Sequence, residues 1–173
     1  MNNIGSYEER SRTFSWKMAE EELGYGNWGK YNIGYFCSDR ICERGFGNKH
    51  ALLWEGFNGE VKQYTYNDLR IFSNWFANKF EEIGLKPGDR ICLFMDRIPE
   101  LYISFLGVLK MGAIVQPLFS AFGEDALFTR LDDAKTRAIL TTRKHLGKVR
   151  RISGMLPELS SVIVVDAGNK MLD

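Results

Sequence analysis

The chain has 173 residues, of which 23 are basic and 22 acidic, giving a formal net charge of +1. That balance supplies no electrostatic drive toward nucleic acid or an anionic membrane, and the length is sufficient to bury a core. The polar start, MNNIGSYEERSRTF, lacks the apolar run of a secretory signal, so a cytoplasmic location is the expectation.

The first predicted element is a helix over Ser15 to Leu23, with Ser15 as its cap and Gly24 as its terminator. Gly24, Gly26 and Gly29 then match G-x-G-x-x-G, with Glu43 at a plausible distance for a ribose-binding acid. The dinucleotide fingerprint requires a strand before its glycines and a helix after them. Here a helix precedes, so the segment reads as a C-cap and an aromatic-rich loop. Tyr31 to Arg44 is a second helix, with Ile33, Phe36, Cys37, Arg40 and Ile41 near one face. Ala51 to Phe57 and Val61 to Thr65 flank Asn58-Gly59, the dipeptide of a tight β-hairpin.

At Thr65 the period changes from strand to helix. Thr65-x-x-Asp68 has the spacing of a capping box, and Leu69, Phe72, Phe76, Phe80 and Ile83 form a core stripe that runs down to Gly84. Ile91 to Met95, entered from a Lys86-Pro87-Gly88-Asp89 turn, is a buried strand. Pro99 and Glu100 start a helix, almost wholly apolar, that packs on more than one side and ends near Gly112. Ala113 to Pro117 closes a β-α-β unit. Gly123 to Ala134 is a further helix, Ala138 to Thr142 a third strand, Arg143 to Gly154 a basic and partly helical segment, and Ser161 to Asp166 a fourth strand. This is a wound α/β fold with a mostly parallel sheet, preceded by a helical segment (1–50) and a hairpin. The last strand has no helix after it, which leaves the sheet unfinished and its edge open to self-association.

Leu101 to Phe119 carries one charge and is nearly long enough to span a bilayer, but Lys110, Gly112 and Pro117 fall where a helix ends and a strand begins. Cys37, Cys42 and Cys92 have no metal-ligand spacing, and His50 and His145 are isolated in sequence, so no metal site or catalytic residue is assigned. Ligands of open parallel sheets bind beyond the carboxyl ends of the strands. Those ends are Asp96 to Ile98, Pro117 to Phe122 and Thr141 to Lys144. Phe119 and Phe122 either anchor their own loop or form a wall for an extended, weakly polar ligand. The basic run Arg143 to Arg151 is either a solvated helix face or an anion site, and the adjacent Asp132 and Asp133 cannot share one helix face as a catalytic pair.

Tyr64-Thr65-Tyr66-Asn67-Asp68-Leu69 resembles the Y-(S/T)-Y-x-(E/D)-L motif of adenylate-forming enzymes, and Leu109-Lys110-Met111-Gly112-Ala113 through Pro117-Leu118 resembles their LK-x-GA-x-x-x-PL motif. The KPGDR turn and the Pro99-Glu100-Leu101 helix start stand between them as in that family. Tyr31-Asn32-Ile33, the Asp39-Arg40 pair and PLFSAF are most similar to AMP-forming acetyl-CoA and short- to medium-chain acyl-CoA synthetases. The resemblance covers residues 30–166. It implies that residues 51–173 are the first part of a large adenylation domain, and that the full-length protein uses ATP, Mg2+, CoA and a carboxylic acid. The family's phosphate loop, nucleotide-contacting acids and catalytic lysine come later than Asp173, so the chain alone is expected to be inactive, and no cofactor is demonstrably bound by it alone.

By the same resemblance, Phe119, Ser120 and Ala121 correspond to the loop along the CoA pantetheine, and Arg150 to a basic contact of the CoA nucleotide. A second family arginine falls on Gly147, leaving Lys148 or Arg151 as substitutes. Two other readings stand beside this one. One is a non-catalytic α/β module that binds CoA or a partner protein. The other is an enzyme of the same superfamily with a different acid or acceptor.

Overall fold

The computed structural model describes residues 6–23 and 31–166. The chain divides into two units, Met1–Asn32 and Ile33–Asp173. In the first, α1 (Tyr7–Thr13) starts at Ser6, whose hydroxyl accepts the Glu9 N–H, and α2 (Trp16–Leu23) starts at Ser15, which accepts the Met18 N–H at 3.2 Å. The predicted helix over Ser15 to Leu23 is therefore present, whereas α1 was not anticipated. The G-x-G-x-x-G segment lies outside the described residues.

The second unit opens with three short helical pieces, α3 (Ile33–Cys37), α4 (Asp39–Ile41) and a π-helical turn over Cys42–Phe46. A single helix was expected here. It breaks at Ser38 (φ −135°, ψ −71°), whose buried hydroxyl donates to the Gly34 carbonyl at 2.7 Å and to the Asp39 carboxylate at 2.8 Å. Such local side-chain bonds offer the backbone an alternative to continuing the helix. The antiparallel hairpin of β1 (His50–Glu55) and β2 (Val61–Thr65) follows, its turn passing through Gly59 at φ +78°. The Trp54 indole N–H donates to the Arg97 carbonyl at 2.7 Å and ties the hairpin to the segment just before Pro99.

In α5 (Tyr66–Glu82) the capping box is complete: Thr65 Oγ1 accepts the Asp68 N–H at 3.2 Å, and Asp68 accepts the Thr65 N–H at 2.7 Å. Leu69, Phe76 and Phe80 are buried as predicted, while Ile83, at the C-cap, is exposed. The sheet then forms from β3 (Arg90–Phe94), β4 (Ile114–Pro117), β5 (Ala138–Thr141) and β6 (Ser161–Val164), in the order β4-β3-β5-β6 and parallel throughout. The connecting helices are α6 (Pro99–Lys110), α7 (Glu124–Asp133) and α8 (Arg143–Ser153).

Strand alternation divides the core between the two faces of the sheet. Ile91, Leu93, Met95, Ala138 and Leu140 pack with α5 and α6, and Cys92, Phe94 and Ile139 pack with α7 and α8. β3 and β5 are neighbours, yet the chain leaves β3 for α6 on the first face and β5 for α8 on the second. Their carboxyl ends therefore flank the crevice where winding reverses, the usual ligand position in such sheets. Among the described residues, no helix is long and apolar enough to cross a membrane: the apolar stretch from Leu101 is α6, which ends at Lys110.

Candidate functional site

Asp96, just beyond β3, reaches across the crevice. Its Oδ2 accepts from Lys144 Nζ at 2.6 Å, and its Oδ1 accepts from Ser120 Oγ at 2.8 Å and lies 3.1 Å from His145 Nε2. Lys144 and His145 belong to the first turn of α8, so one carboxylate joins the ends of β3, β4 and β5. The Lys144 ammonium, helped by the Ser120 and His145 hydrogen bonds, draws the Asp96 carboxyl down to about 2 against a partial desolvation that pushes it up. His145 itself is buried against the Phe94 ring, 5.4 Å between ring centres.

The loop after β4 is held from a second direction. Lys148 Nζ donates to the carbonyls of Ser120 (3.3 Å) and Phe122 (3.0 Å). Phe122 is half-buried with Leu118 against the second core cluster, and the Arg130 guanidinium lies 4.3 Å from the centre of its ring. Phe119 packs edge-on to Phe122 but is 62% exposed, and Ala121 is exposed beside it. The two aromatics thus divide the roles expected of them. Phe122 anchors the loop, and Phe119 is left facing solvent, where a ligand could meet it.

Of the four residues matched to CoA contacts, Phe119, Ser120 and Ala121 lie together on this loop. Arg150 is exposed on α8, and the side chain that reaches the loop is Lys148. Arg151 is paired with Glu124 at 2.7 Å. The strand ends are separate in the sequence and His145 is isolated there; the structure brings Asp96, Ser120, Lys144 and His145 together. The usable signal was that Asp96 and Lys144 both sit at carboxyl ends of strands, which neighbouring strands can bring together.

A separate cavity of about 500 Å³ opens between the hairpin and α3, α5 and α6, lined by Leu52, Leu69, Leu101, Tyr102, Phe105 and Leu106 among others. It is apolar and gathers no set of ionisable groups for acid–base work. Among the described residues, no group of three or more His, Cys, Asp or Glu side chains is placed to hold a metal ion.

Residues 40–172 match the family model described as AMP-binding enzyme. Over 165 residues the chain is 37% identical to an acetyl-coenzyme A synthetase of Bacillus subtilis, covering 95% of this chain and 28% of the relative. It is 35% identical over 153 residues to a 3-hydroxypropionyl-coenzyme A synthetase of Sulfurisphaera tokodaii, covering 86% and 22%. The fold superposes on a crystal structure of a Brucella canis acyl-CoA synthetase with a TM-score of 0.80 and 26% identity, covering 96% of this chain and 30% of that one. The chain therefore spans less than a third of the length of these relatives. By its ordered motifs, its parallel sheet and the match over residues 40–172, the chain belongs to the AMP-binding enzyme family.

Proposed function

We propose that the full-length protein containing this chain is an AMP-forming acid–thiol ligase. It activates a short- or medium-chain carboxylic acid with ATP, the acid oxygen displacing pyrophosphate from the α-phosphorus to give an acyl-adenylate. The CoA thiolate then attacks the acyl carbon and AMP leaves. A free carboxylate is a poor electrophile, and the AMP leaving group lowers the barrier to thiol attack. Mg2+ would supply charge neutralisation on the ATP phosphates when bound.

The observation that carries this reading is the 37% identity to an acetyl-coenzyme A synthetase across 95% of the chain. A second relative is named for 3-hydroxypropionate, also a short acid, which favours the small end of the acid range. On this reading the chain contributes to the second half-reaction. Phe119, Ser120 and Ala121 form a wall along the pantetheine, and Arg150 meets the phosphates of the CoA nucleotide. The isolated 173-residue chain does not turn over acid, ATP and CoA, and the unpaired edges of its sheet make it prone to self-association.

The test is acid-dependent ATP–pyrophosphate exchange by the full-length protein across acetate, propionate, butyrate, longer fatty acids and benzoate. Exchange with one or a few short acids is expected. Absence of exchange with every acid would overturn the ligase reading. For the CoA contact, Arg150→Ala is expected to raise the apparent KM for CoA, and an unchanged value removes Arg150 from the site.

A further inference from the structure

The loop after β4 is gripped at Ser120 and Phe122 by the neighbouring strand end and helix. The Ser120 hydroxyl donates to Asp96 Oδ1 at 2.8 Å, while the Ser120 and Phe122 carbonyls accept from Lys148 Nζ at 3.3 and 3.0 Å. Asp96 is in turn fixed by Lys144 at 2.6 Å and His145 at 3.1 Å. Lys148, on α8, places its ammonium 5.8 Å from the centre of the Phe94 ring of β3. Phe119 and Ala121 are the exposed members of the loop.

Such an arrangement is more than a loop needs to close a β-α connection. The turn is already anchored by Phe122 and Leu118 in the core and by the Phe122 N–H bond to the Phe119 carbonyl at 3.0 Å. The additional grip comes from β3 and α8, the two elements that border the crevice. Its effect is to hold Phe119 in one position relative to that crevice. A mobile loop would lose conformational freedom on binding an extended ligand, and a fixed one avoids that cost.

We infer that Asp96 and Lys148 are positioning residues: through Ser120 and the Ser120 and Phe122 carbonyls, they preset the loop against which the CoA pantetheine lies. This rests on the proposed CoA role of Phe119 to Ala121. Neither residue touches CoA in this scheme. Their removal acts on thiol-dependent turnover, and ATP–pyrophosphate exchange, which consumes no CoA, serves as the internal reference.

The experiment uses the full-length protein with Asp96→Ala, Lys148→Met and Phe119→Ala, each assayed for exchange and for the apparent KM of CoA. Lys148→Met keeps an apolar side chain of similar length and removes the ammonium donors, so it remains informative if Asp96→Ala fails to fold. Each positioning variant is expected to raise the CoA KM about tenfold or more, the scale of one lost hydrogen bond to a charged group, beyond any change in its exchange rate. If Phe119→Ala raises the KM and neither positioning variant does, the positioning role is overturned and the CoA wall stands. If none of the three moves the KM, the wall itself is overturned. If exchange and CoA turnover fall together, Asp96 and Lys148 are merely structural, and the inference fails.

Discussion

Lys110, in the last turn of α6, forms an ion pair with the carboxylate of Asp39 in α4, and also donates to Asn74 Oδ1 of α5 at 2.7 Å. The lysine side chain is 9% exposed and the aspartate 18%. Burial lowers the Lys110 pKa, and the Asp39 carboxylate opposes that shift. Two features that stand apart in the sequence, the Asp39-Arg40 pair and the lysine of the LK-x-GA motif, are thus joined. The lysine acts here as a bolt holding the α3–α4 segment onto α5 and α6.

Removing one partner leaves the other charge buried and uncompensated, which is the costly way to break such a pair. Lys110→Met is expected to destabilise the chain by about 2–4 kcal/mol in urea unfolding. Asp39→Asn should do the same to a lesser degree, because Asn74 still accepts from the lysine. The double variant should lose less than the sum of the two. Strict additivity would show that the pair contributes no coupling.

Gly107 sits where α6 packs tightly against α5. A Cβ built there would lie 2.7 Å from the Phe76 Cβ and 2.9 Å from the Ser73 carbonyl oxygen. Both neighbours are rigid parts of α5, so the helices must separate to admit a methyl group. Gly107→Ala is expected to cost about 1–3 kcal/mol despite its better helix propensity. A stabilised variant in thermal unfolding would mean that the helices slide apart without cost.

How much of this was legible follows from the range of each interaction. The Thr65 capping box, the Leu69 to Phe80 stripe and the run of strands from Ile91 rest on rules that act within a few residues, and the structure carries them. The break at Ser38 was missed because the helical period of Tyr31 to Arg44 says nothing about a serine that turns back to Gly34. α1 was missed because a short polar stretch has no apolar period; its start depends on Ser6 alone. The Asp96 cluster lies at the far end of legibility. Its other members lie 24 to 49 residues beyond Asp96 in sequence and meet it only because β3 lies between β4 and β5. The basic run on α8 offered a solvated face or an anion site, and the structure turns Lys148 inward to the loop.

The three cysteines should separate by reactivity. Burial pushes the Cys92 thiol far up, whereas Cys37 is exposed and Cys42 is half-buried. Since the thiolate is the reacting species, an alkylating reagent at neutral pH is expected to label Cys37 first and Cys42 next, leaving Cys92 untouched until the chain unfolds. Peptide mapping of a labelling time course checks the order. Early labelling of Cys92 would contradict the closed core on the α7–α8 face.

The depressed pKa of Asp96 implies a particular response to acid. Its ordinary value is 3.8 and its folded value about 2, so between these limits the unfolded chain binds a proton that the folded chain does not. Stability then falls as the pH falls. The contribution is complete above about pH 4 and is lost as the pH drops through about 2. Asp96→Asn removes the titrating group while retaining an acceptor for Ser120. The difference in urea midpoint between the native chain and Asp96→Asn should therefore be larger at pH 5 than at pH 2.5. Because Asp96 is 40% exposed and Lys144 70%, the difference should also shrink in high salt. A difference that is constant from pH 5 to 2.5 would show that the carboxylate charge does not hold the crevice together.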